Sequence, residues 1–478
     1  MNRSTQCRIT VMFGALCLMP THVYAQTPLP GLDGPVEVAA TPMSGLVDGK
    51  MGFGQVDEDF FMTINVGTAL RWGKLGLGIQ APLRIRVVDN DPTNNSNIRK
   101  EDWDEISDWT RVLRYLEWGT PDNPDPVYGR LGVLSGISLG HGTIVDRYYN
   151  VIDADHYQTG ILLKADLGVA GVSVFLDNLV DPEIMGLRGT IRPLSFAGFG
   201  DFFDRFTVGA TLVGDFVAPR EAKIDPATQE RQVNGDGDLL VKTEPLWLVG
   251  LDLGWKVIAT DVFALTPYTD FNLMGATGGY GVHAGVLTTI KVGSMLSIGG
   301  RVEYRAVTDD YAPNYINSWY EIERVDYLDS PDDAHDEVVP KLDYFVRRAD
   351  AGHDAVRHGV TMTADMTVLD AITISGTYED YQGPNNSNLM VRLLLPWIAD
   401  FKLSAYYAKR NFDSFSEAFD LDGGLLVADA KWKAYGPMFV FARYSREWHL
   451  NKDVDADNFG HYETINDYDF GFGAEFTF

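Results

Sequence analysis

Cysteine is nearly missing from this 478-residue sequence: there are two, Cys7 and Cys17, both close to the amino end. No disulfide or thiol chemistry is therefore open to the rest of the chain. Long apolar runs are missing too, and without 18 or more consecutive apolar residues no membrane-spanning helix is available. Positive charge is scarce, with 39 Lys and Arg against 67 Asp and Glu and a formal net charge of −28. A chain so acidic repels nucleic acid, which excludes that partner. Nor is there a helical repeat, a phosphate-cradling glycine loop or a His-rich ligand spacing, so no cofactor is expected.

The first segment, residues 1–25, carries Arg3 and Arg8, an apolar run from Ile9 to Met19, and Val23-Tyr24-Ala25 at its end. This order predicts a secretory signal peptide cleaved after Ala25. Leu16 stands before Cys17 where a lipoprotein signal needs a small residue, so no lipid anchor is expected. Residues 26–58, beginning "TPLPGLDGPVEVAATPMSG", read as a Pro/Gly-rich tail, with Lys50 to Val56 as a candidate extra strand.

From Asp59 onward the texture changes to runs of about ten residues with period two, separated by Gly, Asn and Asp clusters. In "FFMTINVGTALRW", Phe60, Met62, Ile64, Val66, Leu70 and Trp72 share one face, while Thr63, Asn65 and Arg71 share the other. Nineteen such runs start near residues 59, 74, 110, 127, 157, 169, 183, 205, 245, 261, 280, 294, 359, 371, 387, 400, 424, 436 and 465. Their length matches the ~9 to 11 residues of a tilted strand crossing a bilayer. Joins near Gly73, Thr260, Gly293, Asp370, Asp400 and Gly436 are tight. Those at 88–108, 140–155, 217–244, 307–357, 412–423 and 449–464 are long and acidic, and are expected to be external loops opposite the short turns. Tight and long joins alternate, so the expectation is one all-β domain, 59–478, a transmembrane antiparallel β-barrel. Walking back from the carboxyl end gives the first run the wrong direction for an even count, and the expected number is roughly 18 strands, within 16 to 20.

The chain closes on "YDFGFGAEFTF", Tyr468 to Phe478. Alternation puts Tyr468, Phe470, Phe472, Phe476 and Phe478 on one face and Asp469, Gly471, Gly473 and Glu475 on the other. Gly473, Phe476 and the terminal Phe478 fit the closing motif of Gram-negative outer-membrane β-barrel proteins, which this sequence resembles over most of its length, although no narrower family is identified. The resemblance implies integral residence in the outer membrane, contact with its lipid and lipopolysaccharide, and recognition of Gly473, Phe476 and Phe478 by the barrel assembly machinery. A homo-oligomer is compatible with that likeness.

Alternation assigns to the lumen Arg71, Arg84, Arg86, Arg188, Arg192, Lys256, Lys291, Arg301, Glu303, Arg305, Asp365, Arg392, Asp429, Lys431, Lys433, Arg443 and Glu447, a mixed and slightly basic set. Charged side chains in such number require water, because a dry core would make their desolvation prohibitive. This favours a porin-like channel for passive diffusion of small hydrophilic solutes or ions, and no enzyme. The competing reading pairs these charges across strands and lets loops plug the lumen. Two segments are candidate constrictions: the acidic loop 307–357 and "SLGHGTIVDRYYNVIDADHY", with His141, Asp146, Arg147, Tyr148, Tyr149, Asp155 and His156. A barrel that displays acidic loops for binding is the alternative function. A barrel hydrolase comes third, on the elbow-like Gly136-Ile137-Ser138-Leu139-Gly140, which lacks the strand-turn-helix setting. Alternating acids at Asp453, Asp455 and Asp457 and at Asn234, Asp236 and Asp238 are candidate contacts for divalent cations.

Overall fold

The computed structural model describes residues 43–56, 59–90, 96–99, 102–103, 106–119, 126–151, 158–227, 232, 240–325, 327–329, 338–352, 355–369, 371–383, 386–421, 424–450 and 462–478. Twenty strands form the wall. The first ten are β1 (Met43–Val56), β2 (Asp59–Trp72), β3 (Leu75–Val88), β4 (Leu113–Trp118), β5 (Val127–Gly132), β6 (Gly160–Asp166), β7 (Ala170–Leu176), β8 (Ile184–Ile191), β9 (Phe206–Ala222) and β10 (Val241–Trp255). The rest are β11 (Phe263–Met274), β12 (Tyr280–Val292), β13 (Leu296–Thr308), β14 (Val356–Val368), β15 (Ile372–Tyr381), β16 (Ser387–Ile398), β17 (Phe401–Phe412), β18 (Leu425–Tyr435), β19 (Met438–Leu450) and β20 (Tyr462–Thr477). Each pairs antiparallel with its chain neighbour.

The wall is a ring. β20 pairs with β1 from Leu46↔Thr477 to Gly54↔Asp469, and Phe478 exchanges backbone hydrogen bonds with Gly45 at 2.8 and 2.9 Å. In hydrocarbon an unpaired amide costs several kcal/mol, so a sheet there must leave no edge. The terminal aromatic therefore closes the last hydrogen-bonded pair of the seam. The glycines of the closing motif are required by close approach. A Cβ on Gly471 would lie 2.1 Å from the Met51 carbonyl oxygen, and one on Gly473 would lie 2.5 Å from that of Gly49.

The number of strands is twenty, so the expected eighteen is corrected upward. All nineteen runs read from periodicity correspond to strands whose starts differ by four residues or fewer. The addition is β1, which takes in Lys50 to Val56 and begins earlier, at Met43. Its alternation is diluted by glycine at 45, 49, 52 and 54, so the apolar face is reduced to Val47, Met51 and Phe53. With β1 in place the count is even, and both ends of the wall lie at the end carrying the tight turns at 73–74, 293–295, 369–371, 399–400 and 436–437. Outward positions such as Val66, Leu251, Val302, Phe470 and Phe472 are exposed and apolar, a surface that lipid covers.

Twenty strands at ~4.8 Å spacing and ~40° tilt enclose a wall ~40 Å across, wider than barrels that already hold an aqueous channel. Such a lumen has room for loops. On β6 to β11 the inward side chains include Leu162, Phe175, Ile184, Val213, Leu246, Leu248 and Met274, all fully buried. Water would meet these in an open tube. Instead residues 133–151, between β5 and β6, fold inward with Leu134, Ile137, Leu139, Ile144, Val145 and Tyr148. Residues 309–325, between β13 and β14, add Tyr311, Tyr315, Ile316 and Tyr320 to the same apolar cluster. The two segments join through a parallel bridge, Val145↔Ile316, with backbone bonds from Asn314 to Thr143 and from Ile316 to Ile144 at 3.0 and 3.1 Å. Residues 140–151 and 309–325, in joins expected to be external, thus lie inside the barrel, because burying that apolar inner arc outweighs solvating the loops. Strands extend into two of the other long joins: β9 ends at Ala222 and β10 begins at Val241, and β19 ends at Leu450 and β20 begins at Tyr462.

Candidate functional site

The inward loops fill the lumen off centre. Along β9 to β13, Thr211, Asp215, Asp252, Asp270, His283, Arg301, Glu303 and Arg305 face inward and are buried. Along β14 to β20, Asp365, Arg392, Lys402, Asp429, Lys431, Lys433, Arg443, Asp469 and Glu475 also face inward but stay half-buried. A crescent of water-accessible space therefore remains between the loops and that second arc.

Arginine and lysine side chains tie the loops to the wall. Arg301 on β13 reaches Asp146 and donates to the His141 carbonyl at 2.6 Å. Arg147 bridges to Asp365 at 3.1 Å and to the Thr377 hydroxyl at 2.9 Å. Arg305 binds Glu303, Glu379 and the Asn314 side chain. Glu323 accepts from both Lys341 and Arg410. Burial alone would raise the Glu323 carboxyl, yet Lys341 and Arg410 hold it below the usual range. Lys341 opens a ten-residue helix, Lys341–Asp350, and its ammonium lies 5.0 to 5.7 Å from the rings of Tyr315, Tyr320 and Tyr327. Nearby, burial and the neighbouring Glu321 push the Asp177 carboxyl well above its ordinary value.

Where the crescent meets the loops there is a cavity of about 500 Å³, counted with its open mouth. Arg147, Trp319 and Glu323 line it from the loops, and Thr377, Met390 and Arg410 from the wall. Further along, cations stand over rings: Lys433 over Trp397 at 4.6 Å, Lys431 over Phe439 at 5.4 Å and Lys50 over Phe441 at 5.7 Å. The stems of these lysines lie on apolar surface while the charge faces water. Arg443 is level with Asp429 on one side and Asp469 on the other.

Most of the residues assigned to the lumen from alternation fall into two groups. Arg71 pairs with Glu117, Arg84 with Asp102, Arg86 with Asp59, Arg188 with Asp252 and Arg192 with Asp166. These, with Arg301, Glu303 and Arg305, make ion pairs of the wall and its loops, and Lys256 is buried at the foot of β10. Asp365, Arg392, Asp429, Lys431, Lys433 and Arg443 face the crescent. Lys291 is exposed at the turn end. Glu447 is in β19, but its side chain falls outside the described residues, as do Asp155, His156, Asn234, Asp236, Asp238, Asp453, Asp455 and Asp457. Periodicity missed the inward apolar arc and its partners Tyr311, Tyr315, Trp319 and Tyr320, because loop residues carry no period. The signal present was their density of aromatics.

His141 sits between two carboxylates that oppose each other across β10 and β11. Its Nδ1 is 2.7 Å from Asp270 and 4.0 Å from Asp252. This is the group with metal-ligand geometry among the described residues. Arg188 already occupies Asp252, and the Thr143 hydroxyl donates to Asp270 at 2.7 Å, so the set is satisfied as an ion-pair network. The elbow-like Ser138 lies within an inward loop, where its hydroxyl donates to Asp146 at 3.0 Å and accepts from the Arg147 amide.

No family model matches the chain, and no curated protein matches it. Among solved structures, the siderophore receptor PirA from Acinetobacter baumannii is 10% identical with a TM-score of 0.37, over 92% of this chain and 81% of that one. The outer membrane protein opdK from Pseudomonas aeruginosa is 9% identical with a TM-score of 0.32, over 91% and 99%. OccK11 (OpdR) from the same organism is 8% identical with a TM-score of 0.33, over 91% and 96%. Superpositions this loose say nothing of solute or mechanism. The seamless wall and its apolar outer face make the chain an integral β-barrel of the outer-membrane type.

Proposed function

We propose that this outer-membrane β-barrel is a passive channel for small hydrophilic solutes, conducting through the crescent between its inward loops and the arc β14 to β20. One observation carries the reading: inward charges on that arc remain accessible to water, while those on β9 to β13 are buried under the loops. Solute would pass the cavity beside Arg147 and Trp319 and then the wall of Lys431, Lys433 and Arg443. Because the crescent is a fraction of the full lumen, conductance should fall well below that of an unobstructed tube of twenty strands.

Purified protein in a planar bilayer should give discrete current steps proportional to salt. Changing Lys431 and Lys433 to glutamate together should move the reversal potential in a salt gradient toward cation preference. A silent membrane, or a reversal potential unmoved by that double change, would refute the crescent as the conduit.

A further inference from the structure

We propose that the connection between β8 and β9, residues 192–205, is a lipid-binding foot that lies in the interface of the leaflet at the turn end. Other described joins at this end are shorter, two residues at 73–74 and 436–437 and seven at 256–262. This one runs fourteen residues, "RPLSFAGFGDFFDR", through a 3-10 turn, Pro193–Ala197, and one helical turn, Asp201–Asp204. It leaves Phe196 73% and Phe199 64% exposed, with Phe202 and Phe203 exposed beside them. Taking ~200 Å² for a phenylalanine side chain, these four rings present roughly 400 Å² of apolar surface. A patch of that size at one point of a molecule marks a surface with a partner.

The bilayer is the occupant because the patch continues the lipid-facing wall. Trp255, at the end of β10, follows Leu251 and Leu253 on the outward face. Phe202, Phe203 and Phe206 gather around it at ring distances of 4.8, 6.0 and 6.3 Å, and its indole N–H donates to the Phe202 carbonyl at 3.0 Å. The connection therefore folds back over the outside of the barrel and away from its mouth. It also sits beside the shortest part of the wall. Strands β4 to β8 have six to eight residues, whereas the others have ten to seventeen. At ~3.4 Å per residue and ~40° tilt, seven residues cover ~18 Å of the ~25 Å apolar band a bilayer requires. A short hydrophobic face is matched by thinning the bilayer or by added interfacial residues, and the foot supplies the latter. This inference is independent of whether the lumen conducts.

The scarcity of cysteine makes the test direct. With Cys7 and Cys17 changed to serine, Phe199→Cys and Ala227→Cys are labelled singly with NBD and refolded into dioleoylphosphatidylcholine vesicles containing 5-doxyl lipid. Ala227 is an exposed residue of the loop-end connection 223–240 and serves as the aqueous reference. The label at 199 should be quenched by doxyl lipid at least threefold more than that at 227, with the order reversed for aqueous iodide. Phe196→Cys should behave as 199 does, so poor folding of one variant leaves the test intact. Equal quenching at 199 and 227 overturns the proposal. So does a thiol-reactive cross-linker that joins two copies through 199, since a second copy of the chain would then cover the foot.

Discussion

Arg301→Met removes the cation that anchors the first inward loop. Arg301 is fully buried, and its guanidinium meets Asp146 and the His141 carbonyl. Without it the Asp146 carboxylate keeps the Ser138 hydroxyl but loses its counter-charge at a site 6% exposed. Stranding a buried charge in this way costs about 3 to 5 kcal/mol. At ~1.4 kcal/mol per tenfold, the population with the loop displaced rises by roughly two to four orders of magnitude. Single-channel recording should show larger and more frequent conductance steps than the parent. Adding Asp146→Asn removes the stranded charge, and the double variant should recover most of the parent's behaviour. If Arg301→Met records like the parent, or if Asp146→Asn gives no recovery, loop position is not held by this pair and the reasoning fails.

Gly471→Val puts a branched side chain where a Cβ already meets the Met51 carbonyl. It should abolish closure, seen as loss of the heat-modifiable compact band on a gel; a compact band at parental level would contradict it. Glu323 is held below its unfolded value near 4.5 by Lys341 and Arg410, so its ion pairs stabilise the loops above that value and lose their effect as pH falls through the lower folded one. Conductance should therefore rise in acid below about pH 4.5, and the rise should be absent in Glu323→Gln. A rise unchanged in that variant places the acid effect elsewhere.

What the amino-acid order determined by itself is the wall. Period two over nineteen runs, the alternation of tight and long joins and the closing aromatics are local properties, and each is set by the pleat of a strand against lipid. Even β1, legible only as the candidate Lys50 to Val56, was faint for a local reason, since its glycines dilute the apolar face. What only the tertiary structure decided is the interior. Alternation places Arg301, Arg305 and Lys433 on the same inward face, but cannot say that the first two are buried under loops while the third faces water. That difference comes from residues 133–151 and 309–325, which have no period and find their place by covering Leu162, Phe175, Leu246 and Leu248 across the barrel. Burial of an apolar arc is a contact between segments distant in the chain, so it exists only once the ring has closed.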